Sequence, residues 1–320
     1  MPPTRLRARA CAKINLGLKI VSRRPDGFHE LRTVFQTIAL ADDLICELTR
    51  GRGVGLAASG LAVPQGRGNL AYRAAELVAD QLKLRRRIEL RLHKRIPSGA
   101  GLGGGSSDAA AVIRMLARAA ARPPSLAAQL GWARELGSDV PNFLLGGTVL
   151  GLGRGDEVYA LPDLGKWHCV LAMPRAQSHG GVSTPEAFAR WDREPAGSGL
   201  TGGGDSDTLI EFCSLVDQVL PAFRPERNRG PRGPKVHAGI ENDFLRGVLS
   251  LSTDFPRIHR QLRRTPAVWV GLTGSGAAQF GLFHQAGPAA EAAARLAVSH
   301  QSWLTRLVGR REYQGGLRAW

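Results

Sequence analysis

The chain has 320 residues, 43% hydrophobic and 22% charged, a balance that excludes an intrinsically disordered polymer and leaves room for about two domains. Lys and Arg number 43 against 27 Asp and Glu, and the resulting +16 implies attraction for anions: nucleic acid, acidic lipid or phosphorylated small molecules. The four cysteines (Cys11, Cys46, Cys169, Cys213) form no C-x-x-C pair and the eight histidines lie apart, which argues against a disulfide framework and a zinc site and reads as reduced thiols in a cytoplasmic protein.

Residues 10–18 alternate small, apolar and polar side chains as a strand does, 27–31 read as a turn, and 32–39 resume a strand. Alternation returns at 44–48 and more weakly at 54–58. The period then changes: Leu70, Ala74, Leu77, Val78 and Leu82 share a helical face over 69–82, with Asn69 as N-cap. Ile88, Leu90 and Leu92 mark another strand, which ends in a glycine loop. Helices are predicted over 106–121 and 126–136, the second stopped by Gly137. Residues 194–207 and 223–235 read as linkers or insertions, the latter too rich in Pro, Gly and Arg for helix or strand. Beyond them, 242–248 and 255–262 look helical, 268–272 and 279–283 look like strands joined by T-G-S-G, and 288–299 is a helix with Pro288 in its first turn.

Strands and helices interleave without a regular βαβ rhythm, so the fold class is α+β, with a boundary near 161–166 that divides the chain into 1–163 and 164–320. The arginines at positions 5, 7 and 9 are not followed by an apolar run, so the start does not read as a signal peptide. The longest stretch without Asp, Glu, Lys or Arg, 265–290, contains Pro266, Pro288 and five glycines and makes a poor membrane helix.

The sharpest feature is Pro97-Ser98-Gly99-Ala100-Gly101-Leu102-Gly103-Gly104-Gly105-Ser106-Ser107-Asp108, between a strand and a helix. Glycines let several backbone N–H groups point into one space, and the helix start adds free donors and the positive end of its dipole: a cradle for phosphate. A Walker loop needs a lysine after its last glycine, where this chain has Ser106-Ser107. A dinucleotide fingerprint needs an acid about 20 positions on, at the end of a second strand, where this chain has a helix. A protein-kinase loop needs H-R-D and D-F-G, and neither occurs.

The P-S-G-A-G-L-G-G-G-S-S-D-A-A stretch resembles the phosphate loop of the GHMP small-molecule kinases. A-K-I-N-L-G-L at 12–18 and L-T-G-S-G-A at 272–277 resemble two further motifs of that superfamily. R-P-D-G-F-H-E-L at 24–31, G-S-D-V-P-N-F at 137–143, V-S-T-P-E-A-F at 182–188 and N-D-F at 242–244 are most similar to the branch acting on 4-diphosphocytidyl-2-C-methyl-D-erythritol. The resemblance implies an N-terminal ribosomal-protein-S5-like domain, a C-terminal ferredoxin-like domain and an active site in the cleft between them. It also implies ATP, with Mg²⁺ carried by the nucleotide rather than by a protein metal site.

At the matched positions the resemblance makes Asp139 the general base and Lys13 its charge stabiliser, and 97–107 the nucleotide cradle. Asn15, Phe28, His29, Pro185, Phe188, Thr273, Gly274, Ser275 and Gly276 become substrate contacts: Phe28 a stacking face for cytosine, His29 a reader of its polar edge, and Asn15 a contact for the methylerythritol or diphosphate. Without the family, Phe28 and His29 would read as ordinary packing.

The basic stretches at 83–95 and 223–235 do not follow from the family and read as solvated faces or as steering for phosphorylated ligands. Two rivals remain. One is another GHMP kinase, acting on homoserine, mevalonate or a sugar. The other is a nucleic-acid-binding protein, disfavoured because aromatics are only 6% and do not interleave with the basic runs. A monomer or a homodimer fits equally.

Overall fold

The computed structural model describes residues 4–175, 184–193 and 242–319. Both predicted linkers, Cys213, Val182 and Ser183 lie outside the described residues. Strands β1 (Thr4–Arg23) and β2 (His29–Arg50) form a long antiparallel pair, the spine of the first sheet. The sequence predicts separate strands at 32–39 and 44–48, whereas the structure has one strand running through. The reason is Asp42. It is fully buried opposite Ala10, and its Oδ1 accepts the backbone N–H groups of Arg95 and Ile96 at 2.6 and 2.9 Å. Asp42 is a structural acceptor.

The second half of β2 pairs with β4 (Arg86–Lys94), which lies parallel to β3 (Val54–Gly60). Helix α1 (Leu70–Gln81) makes the crossover, and Asn69 caps it as predicted, accepting from the Ala71 N–H at 2.9 Å. Helices α2 (Gly104–Ala119) and α3 (Leu126–Leu136) join α1 on one face of this sheet, where Leu44, Leu48, Ile88 and Leu90 share a core with Val78, Val112 and Met115.

The second sheet has the order β10 (Gln301–Arg306), β7 (His168–Met173), β9 (Gln279–Phe283), β8 (Trp269–Leu272), and every neighbouring pair is antiparallel. Helices lie between the first and second of these strands in the chain and between the third and fourth. Together they make the β-α-β-β-α-β arrangement of a ferredoxin-like fold. Its outer face packs on helices over Asp254–Arg263 and Ala286–Ala297, and the second of these carries Pro288 in its first turn. Ala12, Ile14, Leu16 and Ile38 of the first sheet share a core with Leu171, Phe280 and Leu282 of the second, so the two sheets meet through their inner faces. The α+β reading in two sheet groups holds.

Sequence patterning missed the hairpin of β5 (Thr148–Leu152) and β6 (Glu157–Ala160), which pairs with the first half of β2 on the edge away from β1. Glycines hide its alternation. A Cβ at Gly151 would stand 2.6 Å from the Phe35 ring, so that strand position must stay bare. Also unread were β10 and the C-terminal segment, where a short helix (Arg310–Gly315) and β11 (Arg318–Ala319) return to the first sheet beside β1. Tyr313 there donates to the Phe143 carbonyl at 2.7 Å, holding the short helix α4 (Asn142–Leu145) in place.

Phe280→Ala, which empties the core shared by the two sheets, is expected to cost about 3–5 kcal/mol. Leu304→Ala, at a half-exposed position, is expected to stay within about 0.5 kcal/mol. Urea unfolding of both variants checks the contrast.

Candidate active site

Between β4 and α2 the chain takes left-handed φ at Gly99, Gly101 and Gly103 (+68°, +72° and +69°). Side chains rarely tolerate that region, and here space forbids them too. A Cβ on Gly101 would stand 2.1 Å from the Thr273 carbonyl oxygen, and one on Gly103 would stand 2.9 Å from the Phe143 ring. Gly104 and Gly105, expected in the loop, already form the first turn of α2, and Gly103 precedes it as an N-cap with no capping side chain. The first-turn N–H groups of α2 are therefore left without a side-chain acceptor, at the positive end of its dipole, beside the cleft.

Two segments close on this loop, β1 and the turn after β8. The backbone N–H of Lys13 donates to Leu102 O at 3.1 Å, and that of Ala278 to Ala100 O at 3.2 Å. Thr273 Oγ1 donates to Gly101 O at 2.9 Å. Asn15 joins them: its Oδ1 accepts from Lys13 Nζ at 2.7 Å and from the Gly274 N–H at 2.8 Å, while its Nδ2 donates to Thr33 Oγ1 at 2.7 Å. Asn242 in turn donates to the carbonyls of Leu272 and Gly274, which gives the N-D-F motif its place under the glycine turn.

Lys13 is buried, with its Nζ 3.5 Å from Asp139 Oδ2. The Asp139 side chain, 37% exposed, stands in the turn between α3 and α4, anchored by the buried Val140 and Phe143. Residues far apart in the chain thus form one ion pair facing the loop.

At the other end of the cleft Phe28 is 51% exposed, with the Arg154 guanidinium 4.8 Å from its ring centroid. His29 heads β2 and is buried. Its ring stacks on Phe188 with centroids 4.4 Å apart, and its Nε2 lies 2.7 Å from Asp192 Oδ1. Phe188 belongs to α5 (Thr184–Trp191), which Thr184 ties to the glycine turn through Ser275 Oγ at 3.2 Å. Pro185 also borders the cleft.

One cleft of about 840 Å³ holds both ends, within the size range of small-molecule sites. It is lined by Lys13, Asn15, Phe28, His29, Asp139, Pro185, Phe188, Gly274, Ser275 and the loop from Pro97 to Ser106. Three expected contacts stand behind that lining. Ser107 is fully buried and donates to the Cys11 carbonyl at 2.7 Å, Thr273 is buried under Gly101, and Gly276 abuts Val248. Sequence reading missed Arg23, Thr33, Phe35, Lys94, Arg154 and Asp192, which also line the cleft. Lys94 lay inside the basic stretch at 83–95, and Arg23 stands just ahead of the motif at 24–31. Nothing in the sequence marked Arg154 or Asp192.

The sequence matches the GHMP kinases N terminal domain over residues 69–147. It is 41% identical to the 4-diphosphocytidyl-2-C-methyl-D-erythritol kinase of Solibacter usitatus, across 86% of this chain and 80% of that protein. A crystal structure of 4-(cytidine 5'-diphospho)-2C-methyl-D-erythritol kinase superposes with a TM-score of 0.75 at 33% identity, covering 95% of this chain and 99% of the other. The chain belongs to the 4-diphosphocytidyl-2-C-methyl-D-erythritol kinase family. The homoserine kinase of Cytophaga hutchinsonii, with a TM-score of 0.68 but 17% identity over 100% of this chain and 98% of its own, shares the fold. As a GHMP kinase the protein uses ATP.

Beneath the kinase's loop lies a buried cluster. Lys94 Nζ donates to Asp42 and, at 2.7 Å, to Asp108 Oδ2. Burial opposes the charge on Lys94, but Asp108 and Asp42 outweigh it and hold its pKa above the ordinary lysine value. One ammonium does not neutralise two carboxylates, and the deficit falls on Asp108, whose buried Oδ1 has no hydrogen-bond partner. Burial, with Asp42 adding to it against the pull of Lys94, raises the Asp108 carboxyl from 3.8 to about 8. Burial also pushes the Cys11 thiol up to about 11, which leaves it inert as a nucleophile.

Two outcomes are expected. Gly101→Ala, strained at its φ and driven into Thr273 O, is expected to raise the KM for ATP at least about tenfold or prevent folding, read by nucleotide titration and thermal melting. Asp108 is protonated in the folded state up to about pH 8 but ionises near 3.8 when unfolded. Its contribution to stability is therefore complete below the unfolded value and is lost as pH rises toward 8. Asp108→Asn, a neutral isostere, is expected to flatten that decline in urea midpoints measured between about pH 4 and 8.

Proposed function

We propose that this enzyme transfers the γ-phosphoryl group of ATP to the 2-hydroxyl of 4-diphosphocytidyl-2-C-methyl-D-erythritol, in the non-mevalonate route to isoprenoid precursors. The observation that carries the reading is a single cleft with the glycine loop and the Lys13–Asp139 pair at one end and Phe28, His29 and Phe188 at the other. A substrate with its reacting alcohol at one end and a pyrimidine at the other suits that separation of roles.

ATP supplies the phosphoryl group, and Mg²⁺ enters on its phosphate oxygens and water, as that ion prefers. The bare glycines and the N-terminus of α2 fit a polyphosphate chain, because no Cβ crowds the backbone donors. Asp139 Oδ2 is the acceptor for the proton of the attacking hydroxyl. Lys13, 3.5 Å from that carboxylate, offsets negative charge on the group in transfer. Asn15 holds Lys13 Nζ at 2.7 Å and so aims it, with its amide oxygen committed to protein donors. Phe28, backed by Arg154, offers its open face to the base.

We also place the domain division at 163/164. The first six strands fall before it and the four-stranded sheet after it, although β11 returns to β1. We infer a cytoplasmic enzyme, monomeric or homodimeric, without a nucleic-acid partner. Among the described residues no helix is long and apolar enough to cross a membrane.

The test is ADP release with Mg·ATP and the cytidyl substrate, with homoserine and mevalonate as controls. Turnover is expected with the cytidyl substrate alone. Asp139→Asn is expected to lower kcat by about 10²–10⁴-fold with KM little changed, as loss of a positioned base does. Turnover with another alcohol alone would sink the substrate assignment, and full activity in Asp139→Asn would sink the base.

A further inference from the structure

We propose that Asp192 fixes the tautomer of His29 and thereby makes the cleft select a base carrying an exocyclic amine, as cytosine does, over one carrying a carbonyl at the same position, as uracil does. The proposal rests on the cytidyl reading above and names the residue that sets its base preference.

Helix α5 and the residue after it present Phe188, Trp191 and Asp192, spaced three and four apart and so on neighbouring turns of one side. All three close on the His29 ring. Phe188 lies parallel to it, 13° off at 4.4 Å. Trp191 meets it edge-on, at 88° and 5.7 Å between centroids. Asp192 Oδ1 stands 2.7 Å from Nε2. The His29 side chain is 6% exposed, so the plane of the ring, its tilt and the direction of one nitrogen are all set by α5. His29, Phe188 and Asp192 nevertheless line the cleft beside Phe28.

The chemistry follows from the donor inventory. A carboxylate has no hydrogen to give, so at this distance Nε2 carries the hydrogen and donates it. In the neutral ring Nδ1 is then bare and only accepts. An acceptor at that point pairs with an amine N–H and repels a carbonyl oxygen. Without Asp192 the ring is free to hold its hydrogen on either nitrogen, and Nδ1 then serves amine and carbonyl alike. Asp192 acts through His29 and is a positioning residue. Its effect is to be sought in the ratio between bases, which general loosening of the pocket does not change.

Affinities for CDP and UDP, measured by calorimetry without turnover, keep this test separate from the kinase assay. The wild type is expected to favour CDP. Asp192→Ala is expected to shrink the UDP-to-CDP ratio of Kd by about tenfold, the size of one hydrogen bond left unmade. Asp192→Asn, whose amide oxygen still accepts from Nε2, is expected to keep most of it. Retained ATP affinity at the glycine loop serves as the folding check. A long-range ¹H–¹⁵N spectrum of the wild type supplies a readout that needs no variant: the His29 hydrogen on Nε2 supports the proposal, and on Nδ1 overturns it. A ratio unchanged in Asp192→Ala, or a wild type that shows no preference for CDP, would overturn it as well. A preference for CDP without ADP release would leave this inference standing and remove the assigned reaction.

Discussion

Everything in the cleft depends on one amide. Asn15 Oδ1 receives the Lys13 ammonium and the Gly274 N–H, and Asn15 Nδ2 reaches Thr33 on the neighbouring strand. Three segments remote in sequence thereby meet at a buried polar point: strand β1, the glycine turn after β8 and, through Thr273, the glycine loop at Gly101. Buried polar groups are costly unless each finds its partner, and such a junction tolerates few alternative arrangements. The ion pair of Lys13 with Asp139 inherits its geometry from that junction on one side and from Phe143 packed on Gly103 on the other.

Glycine works in two ways around the site. In the loop it provides left-handed backbone. At Gly101 it also allows Thr273 to come so close that any Cβ would collide with its carbonyl. In the β5 hairpin it yields space to Phe35, whose ring lies 5.4 Å from the Lys13 ammonium. At both places glycine serves close approach between segments. Beneath the loop, Asp42 joins β2 to the backbone after β4 and shares Lys94 with Asp108. Burial, together with the neighbouring Asp42 carboxylate, is the physical reason Asp108 retains its proton, because the single Lys94 ammonium cannot neutralise two carboxylates.

Much of the site was legible before the fold was known, because backbone chemistry is written locally. A run of glycines after alternating Ile88, Leu90 and Leu92 and before an alanine-rich helix has few physical uses, and in the structure it lines the cleft. Ser107 shows the limit of local reading. It stands in the motif, but one turn into α2 it points at β1 and bonds the Cys11 carbonyl. Arg154 and Asp192 show the opposite failure. Neither has a local signal, and each matters through an aromatic or imidazole ring brought from elsewhere.

By itself the sequence determined the elements whose causes are near neighbours: the Asn69-capped helix, the alternating strands of the first sheet, the glycine loop and the α+β class. Only the tertiary structure decided that β2 is continuous, that the chain's last strand returns to β1, that Lys13 meets Asp139, and that Asp192 holds His29. The division follows from range. Propensity, capping and periodicity act over a few residues. Ion pairs, buried carboxylates and ring contacts join side chains whose separation along the chain says nothing of their distance in space.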